Sequence, residues 1–226
     1  MSTFLQICAD VRRECAGNGT GPSSVTGQTG ELERIVNWVI QADREIQQRH
    51  NEWRFMVGDF QIDTVAGTGN YAASSFVTPV TNLRCFKNST LKIYLSSAGV
   101  ASEFKLHYLD YNDWYRIYNT ATQSNSAPIH FTVDDNLDLL IAPKPDAVYR
   151  ITGKYQKSVT PLAANADTPV YPSEFHMLPV YLAMTKYARY TGGQETYAYG
   201  ENMYNEMMVR MERSQLPRIR RPWPLV

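Results

Sequence analysis

TGELERIVNWVIQADREIQQRHNEWRFM, residues 29–56, is the stretch whose reading decides the fold. Apolar residues fall at Leu32, Ile35, Val36, Val39, Ile40, Ala42, Ile46 and Trp53. Spacing of three and four gives a helix one buried stripe. Thr29 is placed to cap its start, and Glu31 and Glu33 put negative charge at the positive end of the helix dipole. Arg34, Gln41, Asp43, Arg44, Glu45, Gln47, Gln48 and Arg49 make the other faces polar. At about 1.5 Å per residue, a helix from Thr29 to Asn51 is roughly 33 Å long, the width of a small domain. The remaining chain must pack against it or hang from its end.

Upstream, Ser2 or Thr3 can cap a first helix running to Cys15, with Phe4, Cys8, Val11 and Cys15 on one face. AGNGTGPSSVTGQTG, residues 16–30, is a Gly/Ser/Thr linker long enough to fold that helix back onto the next. Downstream of Trp53, short alternating runs bounded by Gly, Pro and Asn predict antiparallel strands through residues 57–157. They are Phe60–Val65, Leu91–Leu95, Phe104–Leu109, Ile129–Val133, Leu137–Ile141 and Tyr149–Tyr155. Asp134-Asp135-Asn136 predicts a hairpin turn between Phe131 and Leu139, and Gly67-Thr68-Gly69-Asn70 another turn. Asp110–Tyr118 predicts a short helix capped by Asp110 or Asn112. Helical spacing returns at Phe175, Leu178, Leu182, Met184 and Tyr187, with either a kink expected at Pro179 or a helix whose first turn ends near it. Gly192-Gly193 ends that helix. A last one, Gln194 to Arg213, carries a core stripe of Tyr197, Met203, Tyr204, Met207, Met208 and Met211.

The chain ends in QLPRIRRPWPLV. Its prolines forbid a continuing helix and favour an extended arm. Arg218, Arg220 and Arg221 give the arm +3 with no acid, so the rest of this neutral chain carries −3. Such a segment is either a solvated end or an arm that docks by aromatic burial and arginine pairing. The expected architecture is α+β. A helical core of about four helices (residues 1–56 and 161–215) is interrupted by a central antiparallel β-rich insertion (57–160) and followed by an extended C-terminal arm (216–226).

Composition narrows the function. Lys+Arg and Asp+Glu are both 22, which argues against capture of nucleic acid by bulk charge. Fifteen tyrosines point toward protein–protein surfaces or β-structure cores. Cys8 and Cys15 lie about 10 Å apart along one helix and cannot bridge; with Cys85 alone, the usage fits a reducing cytoplasm. MSTFLQICADVRRE lacks the basic start and apolar run of a signal peptide, and no apolar stretch approaches membrane-spanning length. His50, His107, His130 and His176 are scattered without metal-ligand spacing. Asp134-Asp135 reads as a turn rather than a carboxylate pair, and no nucleophile elbow or phosphate loop is present. The expectation is a non-enzymatic structural part with no cofactor and no metal.

Three phrases in order resemble head-to-tail adaptor (connector) proteins of tailed bacteriophages. They are the linker leading into ELERIVNWVIQADREIQQRHNEWRFM, the segment LDLLIAPKPDAVYRITGKYQKSVTPL (137–162), and DTPVYPSEFHMLPVYLAMTKYARYTGG (167–193). The resemblance implies a homo-oligomeric ring of about twelve subunits in the virion. Such a ring sits beneath the portal protein, continues the DNA channel and attaches the tail. Carried onto this chain, Leu216–Val226 is the arm, with Arg218, Arg220, Arg221, Trp223 and Pro224 contacting the portal or a neighbouring subunit. The insertion would face a tail or nozzle protein, and genomic DNA would pass without sequence-specific binding. A neutral channel protein suits passage without grip. Other readings stay open: another tail or baseplate subunit, a carbohydrate-binding or hydrolase insertion using Trp114 and Tyr115, or DNA binding through the arginine arm.

Overall fold

The computed structural model describes residues 2–15, 20–78, 80, 82–119 and 124–217. Within them the chain is α+β, with five α-helices: α1 (Phe4–Glu14), α2 (Gly30–Gln48), α3 (Tyr111–Tyr118), α4 (Leu178–Thr191) and α5 (Gln194–Gln215). It divides into two compact units. One contains residues up to Met56 and from Val159 onward, and the other is Val57–Ser158.

In the helical unit, α2 buries Ile35, Val36, Val39, Ala42 and Ile46, each contributing about 1.5–3 kcal/mol except the smaller alanine. Helices from both ends of the chain cover that stripe. Phe4, Ile7, Cys8 and Val11 of α1 and Leu178, Val180, Tyr181 and Met184 of α4 join one core with Met208 and Met211 of α5. Thr3 caps α1 in a reciprocal box with Gln6. The first amides of α1, those of Phe4 and Leu5, donate to the Asp167 and Asn165 carbonyls, so its free N–H groups are satisfied by the chain entering α4. Thr29 stands at the N-cap of α2 but makes no cap bond. Gly30, at φ +65°, turns the chain sharply there. The helix ends at Gln48, three residues short of Asn51.

Of the two expectations at Pro179, the structure has the second: the proline stands in the first turn of α4, where an amide would have no intrahelical acceptor anyway. Gly192, in the left-handed conformation at φ +77°, stops α4 by donating to the Ala188 carbonyl. Gly200 of α5 is buried against the Tyr181 carbonyl and Met184, a close approach that lets the two helices pack as a hairpin.

The insertion contains β1 (Val57–Asp63), β2 (Asn70–Tyr71), β3 (Leu83–Phe86), β4 (Lys92–Leu95), β5 (Phe104–Lys105), β6 (His107–Tyr108), β7 (His130–Val133), β8 (Leu139–Ala142) and β9 (Tyr149–Lys157). One sheet runs β1-β9-β4-β5, with β3 also on β9; the other runs β2-β8-β7-β6. Register on the first is marked by ion pairs between directly opposed residues, Asp63 with Arg150 (2.6 and 2.8 Å) and Asp59 with Lys154 (2.5 Å). Phe104–Leu109 is not one strand: buried Leu106 breaks it, and β5 and β6 belong to different sheets. Nor is the pairing wholly antiparallel. β6 runs parallel to β7, because α3 supplies the crossover that a parallel connection needs. The Asp134 carboxylate accepts from the Asn136 and Asp138 amides at 2.9 and 2.8 Å and closes the β7–β8 hairpin.

Two residues assigned above to polar faces of α2 are buried, Asp43 and Gln47. One turn apart, they meet the chain returning from the insertion. The Gln47 amide accepts from the Thr160 N–H and donates to its carbonyl, both at 3.0 Å, and donates to Asp43 Oδ2 at 2.7 Å. Asp43 Oδ1 and the enclosed Tyr171 hydroxyl have no hydrogen-bond partner among the described residues. Burial pushes the Asp43 carboxyl up from 3.8 to about 6. Between those pH values the folded chain keeps a proton that the unfolded chain has released, so stability falls as pH rises through the window. Two pH units correspond to about 3 kcal/mol. Asp43→Asn is therefore expected to raise the melting temperature at pH 7.5 and leave it nearly unchanged at pH 4. Circular-dichroism melts at the two pH values check this; a variant less stable at pH 7.5 would contradict it.

Candidate functional site

The arm residues Arg218, Arg220, Arg221, Trp223 and Pro224 lie outside the described residues. The root of the arm is well defined. Leu216 ends α5 with its amide on the Glu212 carbonyl and packs against the helical core, so it belongs to the core rather than to a free segment. Glu212 accepts from Arg49 Nε and His50 Nε2, each at 2.9 Å. His50 stands edge-on to the fully buried Trp53 (4.9 Å between ring centroids), whose indole donates to the Ile46 carbonyl at 3.2 Å. Burial alone would raise the Glu212 carboxyl, but the bonds from His50 and Arg49 outweigh it and hold it below the ordinary value. Glu212 thus braces the corner between the residues that follow α2 and the end of α5.

The second feature is α3. Asp110 caps it, accepting from the Asn112 amide at 3.1 Å. None of its eight residues is buried, although five are Tyr, Trp or Ile. Its rings form a continuous ladder: Tyr115 to Tyr111 (6.3 Å between centroids), Tyr111 to Trp114 (6.5 Å), Trp114 to Tyr118 (6.0 Å) and Tyr118 to His130 (5.9 Å). The inner end is tied down by the Tyr118 hydroxyl on His130 Nδ1 at 2.7 Å. The outer end is open, with Tyr111 42% and Tyr115 51% exposed. Trp114 is half-buried with Tyr rings against it, and so is not laid flat to solvent as a sugar platform would be.

Chemistry is sparse elsewhere. Among the described residues no group of three His, Cys, Asp or Glu could hold a metal. His107 and His130 sit 6.2 Å apart on paired strands, and His130 is lowered by burial and then by His107. Burial pushes the Cys8 and Cys15 thiols up to about 12, leaving them unreactive, whereas Cys85 is exposed. Two open hollows, one over Gly153 on the first sheet and one at the α4–α5 turn, bring together ion-paired or hydrogen-bonded side chains and no catalytic set. No described helix is long and apolar enough to cross a membrane.

The family of SU10 adaptor proteins matches residues 2–223, nearly the whole chain. The chain belongs to this family of phage head-to-tail adaptor proteins, which are structural parts of the virion. No curated protein matches it.

If the outer rings of α3 serve a partner rather than the fold, removing one should barely affect stability. Tyr115→Ser is expected to change the unfolding free energy in urea by no more than about 0.5 kcal/mol. Tyr118→Phe, which orphans a half-buried His130 nitrogen, should cost about 1 kcal/mol or more.

Proposed function

We propose that the protein forms a ring of about twelve copies beneath the portal, continues the DNA channel and carries the attachment site for the tail. Membership of the adaptor family over residues 2–223 is the observation that supports this most directly. The helical unit supplies the rigid body of each subunit. The arm from Pro217 onward, rooted at the Glu212 corner, joins the portal or the next subunit through Arg218, Arg220, Arg221, Trp223 and Pro224. The insertion meets a tail or nozzle protein. A chain with 22 basic and 22 acidic residues has no surplus of cations with which to condense on passing phosphates, so DNA moves through without being held.

Electron microscopy of the protein mixed with its portal is expected to show rings; a chain that stays monomeric in that mixture overturns the proposal. Deleting Pro217–Val226 is expected to leave the circular-dichroism spectrum and melting temperature essentially unchanged, because the core closes before Pro217, while abolishing sedimentation with the portal.

A further inference from the structure

The α3 face is incomplete by itself. Isolated helices of fewer than about 12 residues are marginal in water and depend on packing for stability, and this one has eight residues, none of them buried. An apolar face left open and rimmed by charge marks a place where something else binds. Its electrostatics say what. From Leu106 to Ile141 there are five aspartates against one arginine, a net of −4, within an insertion whose other cations sit elsewhere. Asp110 and Asp113 lie at the start of α3. Because β6 and β7 run parallel, with Tyr108 opposite Phe131, the end of β6 leading to Asp110 and the β7–β8 turn with Asp134 and Asp135 are at the same end of the sheet.

The chain beyond Pro217 is the complement. RIRRPWPLV carries +3, no acid, two prolines and one tryptophan. Proline-rich segments bind rows of aromatic rings with little loss of entropy, and guanidinium groups stack on tyrosine and pair with carboxylates. Extended at about 3.1 Å per residue, those nine residues reach roughly 28 Å, more than twice the ~12 Å length of α3. The arm is therefore long enough to cross the ring ladder and reach the aspartate turn.

We propose that residues Arg218–Val226 of one copy dock on the α3 face of a second copy, with the arginines on Asp110 and Asp113 and Trp223 extending the ladder at Tyr111 and Tyr115. This rests on the reading above that the arm joins subunits, and it names the surface that receives it. The contact area is small, so a single arm binds weakly and the ring gains its hold by closing many such contacts at once.

The test uses the full chain with a benzophenone amino acid in place of Leu225, mixed with isotopically heavy protein so that links between copies are distinguishable. Irradiation is expected to join position 225 to residues between Tyr108 and Asp138 of another copy. The yield should fall about tenfold in the double variant Tyr111→Ser, Tyr115→Ser, in Asp113→Lys, and on raising salt from 50 to 500 mM. Asp113→Lys keeps the rings and the Asp110 cap and removes the exposed carboxylate that Arg116 holds at 3.0 Å in the single chain, so it reads out pairing even if the tyrosine variant folds poorly. Links confined to the same copy, or to other surfaces, overturn the inference. So do links that form only after portal is added and map to the portal, an outcome that leaves the ring beneath the portal standing. Normal joining of the chain lacking Pro217–Val226 to the portal would instead defeat the arm's role in the function proposed above.

Discussion

Thr160 gives both of its backbone groups to one side chain, and the helical unit depends on that contact. Gln47 reaches it across 113 residues of sequence. The apolar stripe of α2 supplies most of the free energy, but apolar packing alone tolerates sliding. A buried amide that must satisfy a specific N–H and a specific C=O does not. The returning chain is thereby held in one register on α2, and α4 and α5 follow from there. Interposing about a hundred residues costs little loop entropy, since each doubling of a flexible loop adds only ~0.6 kcal/mol. The insertion lowers even that, because Val57 at its entry is opposite Gln156 near its exit on neighbouring strands.

Periodicity carried much of the architecture. The stripe of α2, the α1 face with its buried cysteines, the Met-rich face of α5 and the Asp134 hairpin all rest on local pattern, and each is formed as the pattern implies, except that Tyr197 lies outside the α5 core and bonds Arg189 and Glu201 at the surface. What stayed hidden was non-local. Asp43 and Gln47 look like ordinary solvated positions because the chain that encloses them, including the Thr160 backbone bonded to Gln47, is more than a hundred residues away. A pair of polar residues one turn apart at the margin of an apolar stripe was the available signal. Pro179 left two outcomes open because the same residue that breaks a helix interior is favoured at its first turn, and it stands in the first turn of α4. The break at Leu106 was invisible for a different reason: Phe104–Tyr108 alternates correctly, and only the existence of a second sheet divides it.

The arm was legible as composition and no further; its five singled-out residues lie outside the described part of the chain. Its counterpart was legible too, since five aspartates and one arginine between Leu106 and Ile141 can be counted from the sequence. A net charge of zero hides that separation. The two features gain meaning together only when α3 is seen to leave its rings open. At the aspartate-rich end of the other sheet the single arginine, Arg116, pairs with Asp113 at 3.0 Å, one exposed pair worth little in stability against five carboxylates.

The discontinuous helical unit also sets the order of events on the ribosome. At about 5–20 residues per second, roughly 6–25 seconds separate synthesis of Met56 from that of Leu178. Throughout that interval α2 has only α1 to shelter its apolar stripe, while by the time α4 begins every strand of the two sheets, β1 to β9, is already made. The nascent adaptor therefore carries a sticky, half-dressed hairpin beside a fully synthesised insertion. Premature pairing between such hairpins on neighbouring ribosomes is the hazard that a late-arriving α4 imposes.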